Sequence, residues 1–403
     1  MKYINYRYLI LLISFCFPFI NCARFKVEKL KAEKIFSVPM GAKGISFPNQ
    51  QGVYHEIPLR IGVVDDKLIA PEPSNKLIKI FNNEKLELII ISKEQHEKNI
   101  KDQKTEPDKS VKIIAVENLN IPGIITGGVD SDFYVLSFYT EALSQNTDKK
   151  GENLSSNANE SGEENTEQKI SLQSTGGSLG FYKILHFDLN GNLLGIIGRE
   201  GKPELPFESV LWMDVDNDKN FWVLYNDLED IRLEKHVEGK LFKYFEAKQC
   251  ESIVFDKISK KEKELFSCEN MYPFPSGDKV IFVGKIEELP DLKSGEPEGY
   301  IFQKRIFVLH DLKTGKNTVI FKNLNDPEDY PYLPYENYIT LWQFQKHNQT
   351  KVALYNLEGD LIKNLQINLE GPRHTWRSTY LTLSSGFYSI RVIENKFTVY
   401  RWQ

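Results

Sequence analysis

The sequence has none of the short patterns that mark common chemistries. It holds no Cys-x-x-Cys pair, no His-Glu-x-x-His, no phosphate-cradling Gly-rich loop closed by Lys and Ser or Thr and no dinucleotide fingerprint. Those absences remove the best-marked zinc proteases, nucleotide hydrolases and nicotinamide enzymes from a first reading. Histidine is scarce, with 7 residues at positions 55, 96, 186, 236, 310, 347 and 374, and none forms a close pair of metal ligands. No metal and no cofactor is expected. Positive charge is not in excess either. Lys and Arg number 51 against 56 Asp and Glu, for a net charge of −5. Nucleic acid is therefore not an expected partner, because binding it needs a basic footprint. After residue 20 there is no further long apolar run, so no spanning helix is expected in the body of the chain.

The first residues differ from the rest. Lys2 and Arg7 precede an uncharged apolar run, Tyr8 to Ile20. That run has the length of a signal-peptide core and is short for a membrane span, which needs about 20 apolar residues. It ends in Phe19-Ile20-Asn21-Cys22, and no small-x-small cleavage site follows in Ala23-Arg24-Phe25-Lys26. The tetrapeptide resembles the looser lipobox of spirochaetal lipoproteins, with Ile20 and Asn21 where small residues are usual. The resemblance implies removal of residues 1–21 and acylation of Cys22 on both its thiol and its new amino group. It also implies export and anchoring in a bacterial cell envelope, with the outer membrane as the expected site. Residues 22–33 then read as a tether.

Four cysteines occur in all. Cys16 lies in the signal run and Cys22 is the lipidation candidate. Cys250 and Cys268 remain, either as a disulfide, which an exported protein would permit, or as two free buried thiols.

A chain of 403 residues suits two domains or one domain built from repeats. The strand signals are short and many: Leu59–Val64, Phe133–Phe138, Phe221–Tyr225, Val280–Val283, Arg305–Leu309, Lys351–Leu357 and Phe397–Trp402. Helical periodicity is nearly absent. The best helical candidate, Asp256–Phe266, reads equally as a charged loop. Residues 144–178 are rich in Gly, Ser, Asn and Glu, lack apolar pairs and are expected to be a disordered insertion. Glu94–Ser110 reads as a second, more charged insertion.

One unit recurs. An apolar strand, a polar turn and a second strand appear around Gly191, Gly239, Gly315 and Gly359, and again in Lys76–Ile90 with Asn82-Asn83 at the turn. Glycine and asparagine tolerate the positive φ that tight hairpins require. Asp188 and Asn356 each stand three residues before the glycine, where a short polar side chain caps the turn. Strands around an Asp-rich turn precede several copies, as in Val63–Ile69, Val129–Val135 and Val215–Val223. Together these make a four-stranded unit, one blade of a β-propeller. Outer strands near Ile35, Leu86, Leu193, Leu241, Asn317 and Leu361 number six blades, with seven as the alternative. The segment Lys34–Gly41 looks like an outer strand without a blade and Lys396–Trp402 like a third strand without an outer partner. Their pairing would close the ring and remove a free edge. Residues 34–403 are thus expected to form one all-β propeller.

Leu205-Pro206-Phe207, Val215-Asp216-Asn217-Asp218, Phe221–Val223, Asn120-Ile121-Pro122-Gly123 and Gly198-Arg199-Glu200-Gly201 make the unit resemble NHL repeats. It departs from them where the usual arginine before the third strand is replaced, as by Lys183.

Among candidate sites, His374, Trp376 and Arg377 form an aromatic-basic cluster entering the last blade, where a ligand or a neighbouring blade would meet it. Tyr330–Tyr335 is a Pro-stiffened aromatic loop. The acidic turns Asp214–Asp218 and Asp130–Asp132 lack the ligand set and distal Glu of a calcium loop and are expected to be solvated hairpins. His236 is expected to be structural, and His186 and His310 to face opposite sides of their blades. With no catalytic constellation, the expected role is a lipid-anchored binding or scaffold propeller for a protein partner. The alternative is a hydrolase or lyase acting at the central channel.

Overall fold

The computed structural model describes residues 27–41, 44–45, 60–102, 110–128, 131–141, 179–227, 230–255, 257, 266–288, 302–324, 329–330, 334–345, 349–368, 379–382, 386–393 and 396–403. Its strands form six sheets arranged as a six-bladed β-propeller. The chain enters through β1 (Val27–Lys29) and β2 (Ala32–Pro39). Blade 1 holds β3 (Gly62–Val64), β4 (Lys67–Glu72), β5 (Leu77–Asn82), β6 (Lys85–Ser92) and β7 (Lys112–Val116). Blade 2 holds β8 (Ile121–Gly127), β9 (Asp132–Glu141), β10 (Leu179–Asp188) and β11 (Leu193–Ile197). Blade 3 holds β12 (Ser209–Val215), β13 (Phe221–Asp227), β14 (Asp230–Val237) and β15 (Lys240–Glu246). Blade 4 holds β16 (Phe266–Pro273), β17 (Lys279–Glu288), β18 (Phe302–Asp311) and β19 (Asn317–Leu324). Blade 5 holds β20 (Asp329–Tyr330), β21 (Pro334–Tyr335), β22 (Tyr338–Gln345), β23 (Gln349–Tyr355) and β24 (Leu361–Asn368). Blade 6 is β25 (Thr379–Thr382), β26 (Gly386–Ile393) and β27 (Lys396–Trp402), completed by β2 as its outer strand.

The middle strands read as unbroken apolar runs because each blade is sandwiched between two others. In β13, Phe221, Val223 and Tyr225 pack toward blade 2 with Ile124, Tyr134, Ile184 and Phe207. Trp222 and Leu224 point the other way and share a core with Phe245, Phe282 and Phe307 of blades 3 and 4. Successive side chains in a strand alternate faces, so a strand buried on both faces has no polar positions to spare.

Ring closure is antiparallel. Lys34 pairs with Tyr400, Phe36 with Val399 and Val38 with Phe397. Phe36, Val38, Phe397 and Val399 then pack with Leu68, Ala70 and Phe81, which seats blade 6 on blade 1. Two strands lie outside the four-strand pattern. β7 adds to β6 in parallel, and β1 adds to β24 in parallel with Val27 opposite Asn364. This corrects the tether boundary: residues 27–29 and 32–33 are strand. All three residues of β1 are exposed, so its backbone pairing left no apolar pattern in the sequence.

Because neighbouring strands alternate in direction, the two faces of the ring are built differently. On one face, the links between first and second strands and between third and fourth are two to five residues long. Asp65-Asp66 and Asn83-Glu84 hold positive φ at both turn positions, the geometry of tight hairpins. Asp188 accepts from the backbone N–H of Asn190 and Asn192, and Asn356 from those of Glu358 and Asp360. The opposite face carries the blade-to-blade connections and the links between second and third strands. Among the described residues, 93–102, 198–208 and 247–255 lie there.

Two α-helices occur on that face among the described residues. Lys93–Lys101 is capped by Ser92, whose hydroxyl accepts from the Gln95 N–H, and buries no residue. It falls in the segment expected to be a charged insertion. Ala247–Phe255 buries Cys250 and Val254, spaced for one helix face. Most of Asp256–Phe266, read as either a helix or a charged loop, lies outside the described residues. A disulfide joins Cys250 to Cys268 of β16, with Cα atoms 6.0 Å apart. The segment 144–178, and Cys22, lie outside the described residues.

Candidate functional site

The described polar groups concentrate where blades 1, 2 and 3 meet. Arg60 enters blade 1 beside the inner strand of blade 2, where its carbonyl accepts from the Ile125 N–H. Its guanidinium donates to Asp214 Oδ2 of β12 at 2.7 Å and to the Met213 carbonyl at 3.0 Å. Thr126 of β8 donates to the other oxygen, Asp214 Oδ1, at 2.6 Å, and the Val215 N–H adds a further donor at 2.9 Å. One carboxylate thus ties together the inner strands of three consecutive blades. Asp214 is 1% exposed, and a charge taken so far from water must be matched by donors.

Asp216, two residues on, is fully buried. Its carboxylate accepts from the N–H groups of Asp218 and Asn220, from the Asn220 amide and from Trp222 Nε1 at 2.7 Å. The turn is solvated at its tip, as expected, with Asn217, Asp218 and Lys219 exposed, while the Asp216 carboxylate beneath it is buried. Lys235 lies 3.8 Å from Asp216, donates to the Gly277 carbonyl of blade 4 and sits over the Trp222 ring. The Asn217 N–H donates to the Pro275 carbonyl. Gly277 has φ +65°, and a Cβ there would stand 2.3 Å from Asp216 Oδ2. The turn therefore fastens blade 3 to blade 4.

A third group lies between blades 2 and 3. Glu234 accepts from the Tyr225 hydroxyl at 2.7 Å and from the Glu200 N–H at 2.9 Å, and bonds His236 Nε2 at 2.9 Å. Burial, with the Glu234 charge beside it, holds the Tyr225 phenol far above its ordinary range. His236 is 0% exposed, so this His–Glu pair cannot meet a solute and acts as a structural clamp. Nearby, Arg232 and Arg199 share Asp227, and Arg232 also reaches Glu246.

One His–carboxylate pair is partly open. His186 Nε2 lies 2.7 Å from Asp132 Oδ2, and its ring stacks on Tyr134 at 4.2 Å, which in turn stacks on Phe221 of blade 3. His310 instead meets Phe245 of blade 3 from blade 4. The two histidines therefore face opposite sides of their blades, as the register requires. No group of three or more potential metal ligands converges among the described residues.

The arrangement fixes blades and exposes little chemistry. Arg60 and Asp214 neutralise each other, Glu234 is filled by Tyr225, Glu200 and His236, and Asp216 by its own turn. Sequence reading had singled out Asp214, Asp216, His186 and His236, though it did not foresee their partners. It passed over Arg60, Thr126, Tyr225 and Glu234. For Glu234 alone there was a signal, a charge inside a strand whose neighbouring residues are buried. His374, Trp376 and Arg377 lie outside the described residues.

No protein-family model matches this chain, and no curated protein matches it. Solved structures of similar fold do. TolB from Acinetobacter baumannii is 10% identical at a TM-score of 0.35, covering 77% of this chain and 54% of its own, so the chain spans about half of TolB. A chain of the Mitotic Checkpoint Complex is 8% identical at 0.39, covering 87% and 92%. The Cps50 (Swd1) β-propeller domain of Myceliophteria thermophila is 8% identical at 0.35, covering 86% and 98%.

Proposed function

We propose that this chain is a binding or scaffold propeller that presents its connection-bearing face to a protein partner, and that Cys22 anchors it by acyl chains in a bacterial envelope. The observation that carries the binding role is the inequality of the two faces. One is closed by turns of two to five residues, while the other bears the long connections. A rigid ring with variable loops on one side is a platform for recognition. The buried clamps between blades support the same reading, since they spend their charges on rigidity. The anchor rests on the run Tyr8 to Ile20 and on Phe19-Ile20-Asn21-Cys22. The NHL-like pattern of the repeat adds a resemblance of architecture. A hydrolase or lyase would want several acidic, basic or imidazole groups aimed together into one channel mouth, and Arg60 with Asp214 is instead a mutual pair.

Photo-crosslinking in cells tests the binding role. A photoreactive residue at Glu204 or Gln249, on the connection-bearing side, should capture one discrete protein, while one at Glu238 or Thr314, in the tight turns, should not. Equal capture from both faces, or from neither, sinks the reading. Labelled palmitate should be incorporated and lost in Cys22→Ala; incorporation that survives the change sinks the anchor.

A further inference from the structure

The outer edges of the blades are not used alike. Those of blades 1 and 5 are each covered by an added parallel strand, β7 on β6 and β1 on β24. The second comes from a segment remote in sequence and is held with all three of its residues exposed. Strand addition at an outer edge is therefore something this ring already does twice, once with little side-chain burial.

Blade 3 has no such cover: among the described residues no strand pairs with the outer edge of β15. That strand reads Lys240-Leu241-Phe242-Lys243-Tyr244-Phe245-Glu246. Phe242 is 69% exposed and Tyr244 49%, the two most exposed aromatic side chains among the described residues. Phe242 sits at the register shift between Lys235 and His236, with Lys235 Nζ 5.9 Å from its ring. The charges along the strand are also one-sided. Lys240 and Lys243 are basic, while Glu246 is held by Arg232 and Lys235, buried beneath, already faces Asp216. This is a basic, aromatic strip on a chain of net charge −5. The other uncovered outer strands differ. β11 is five residues long with Gly195 inside, and β2 and β19 expose no large apolar side chain among their described residues.

We propose that the outer edge of β15 takes up an extended segment of a partner protein, acidic side chains alternating with apolar ones, as a fifth strand of blade 3. Main-chain pairing along the open edge supplies affinity and alternate side chains supply selectivity. Leu241 and Tyr244, on one face of the strand, would cover the apolar positions, and Lys240 and Lys243, on the other face beside Phe242, would meet the carboxylates. Those same lysines disfavour a second copy of this chain, since lysine on an edge opposes edge-to-edge pairing of like strands. The site is apart from the connection-bearing face, so its failure leaves that reading standing.

The test is fluorescence anisotropy with the full chain and a labelled peptide of about ten residues alternating Glu and Val, beside its Lys-Val counterpart. Saturable binding of the Glu-Val peptide alone is expected. It should weaken by about tenfold or more in Tyr244→Ser and in Lys240→Glu/Lys243→Glu. It should be unchanged in Ile362→Ser, on β24, whose edge is already occupied. Hydrogen exchange on the unaltered chain gives a readout independent of variant folding: the peptide should protect amides of residues 240–246. Equal binding of both peptides, protection elsewhere, or insensitivity to the β15 changes overturns the proposal. So does self-association that Tyr244→Ser abolishes in a chain that ignores the peptide.

Discussion

Asp216 shows how one side chain can hold a junction. It fills both oxygens with donors from its own turn and from Trp222 Nε1, and the turn is bonded to blade 4 through Asn217. Replacing it by alanine strands several buried donors, each of which costs about 1–3 kcal/mol when left unpaired. Asp216→Ala should therefore lower the unfolding free energy by about 3–5 kcal/mol, read as a shift in the urea midpoint. Asp216→Asn should lose less. A change within experimental error for Asp216→Ala would mean the turn is held by its backbone alone. At Asp214, removal of the carboxylate leaves Arg60 and Thr126 without a partner they share. Asp214→Ala should cost about 3–5 kcal/mol, against about 1 kcal/mol for Thr126→Val, in the same assay.

At the scale of the element, the hairpins of the tight face were the most legible part of the sequence. Their signal is local: a glycine or asparagine at positive φ and an Asp or Asn three residues earlier specify the turn without help from the rest of the chain. The same chemistry makes these turns sensitive to acid. The Thr314 N–H holds the Asp311 carboxyl below its ordinary 3.8. At Asp188 and Asp278 burial pushes upward, but donors from Asn192 and from Ser276 and Lys313 more than offset it. A carboxyl depressed in the folded state contributes stability that is present above its unfolded value and is lost as pH falls through the folded one. Urea midpoints should hold steady above about pH 5 and fall below about pH 4, with a shallower fall in Asp188→Asn/Asp311→Asn. A slope unchanged in that variant would remove the turns as its source. The polar clamps were far less legible than the turns. Glu234 meets Glu200 across a blade boundary, and Arg60 meets Asp214 from a position 154 residues away. Such partners are set by the ring and not by neighbours in the chain. β1 was missed for a related reason, as strand pairing that buries no side chain leaves no hydrophobic period.

For the whole molecule, closure is the point of greatest consequence. The sequence showed it because an outer strand at one end and a third strand at the other were each incomplete alone. Deleting residues 1–40 removes β2, uncovers β27 and takes Phe36 and Val38 from the core they share with Leu68 and Phe81. The shortened chain should unfold at lower urea with a broader transition and should gain affinity for a dye that binds exposed apolar surface. A sharp transition at the original midpoint would show that blade 6 closes without β2.

The seam also sets an order in time. Ser37 and Thr398 meet across 361 residues of chain, so β2 emerges early and must wait for β27 before it has a partner. Until then Phe36 and Val38 are an open, apolar strand, the kind of edge most prone to pair wrongly. Blades 2, 3 and 4 are each made of consecutive segments and need no such delay. Assembly is therefore expected to run outward from the middle of the chain, with the two ends joining last. The slow step is one of search, set by the entropy of closing so long a loop.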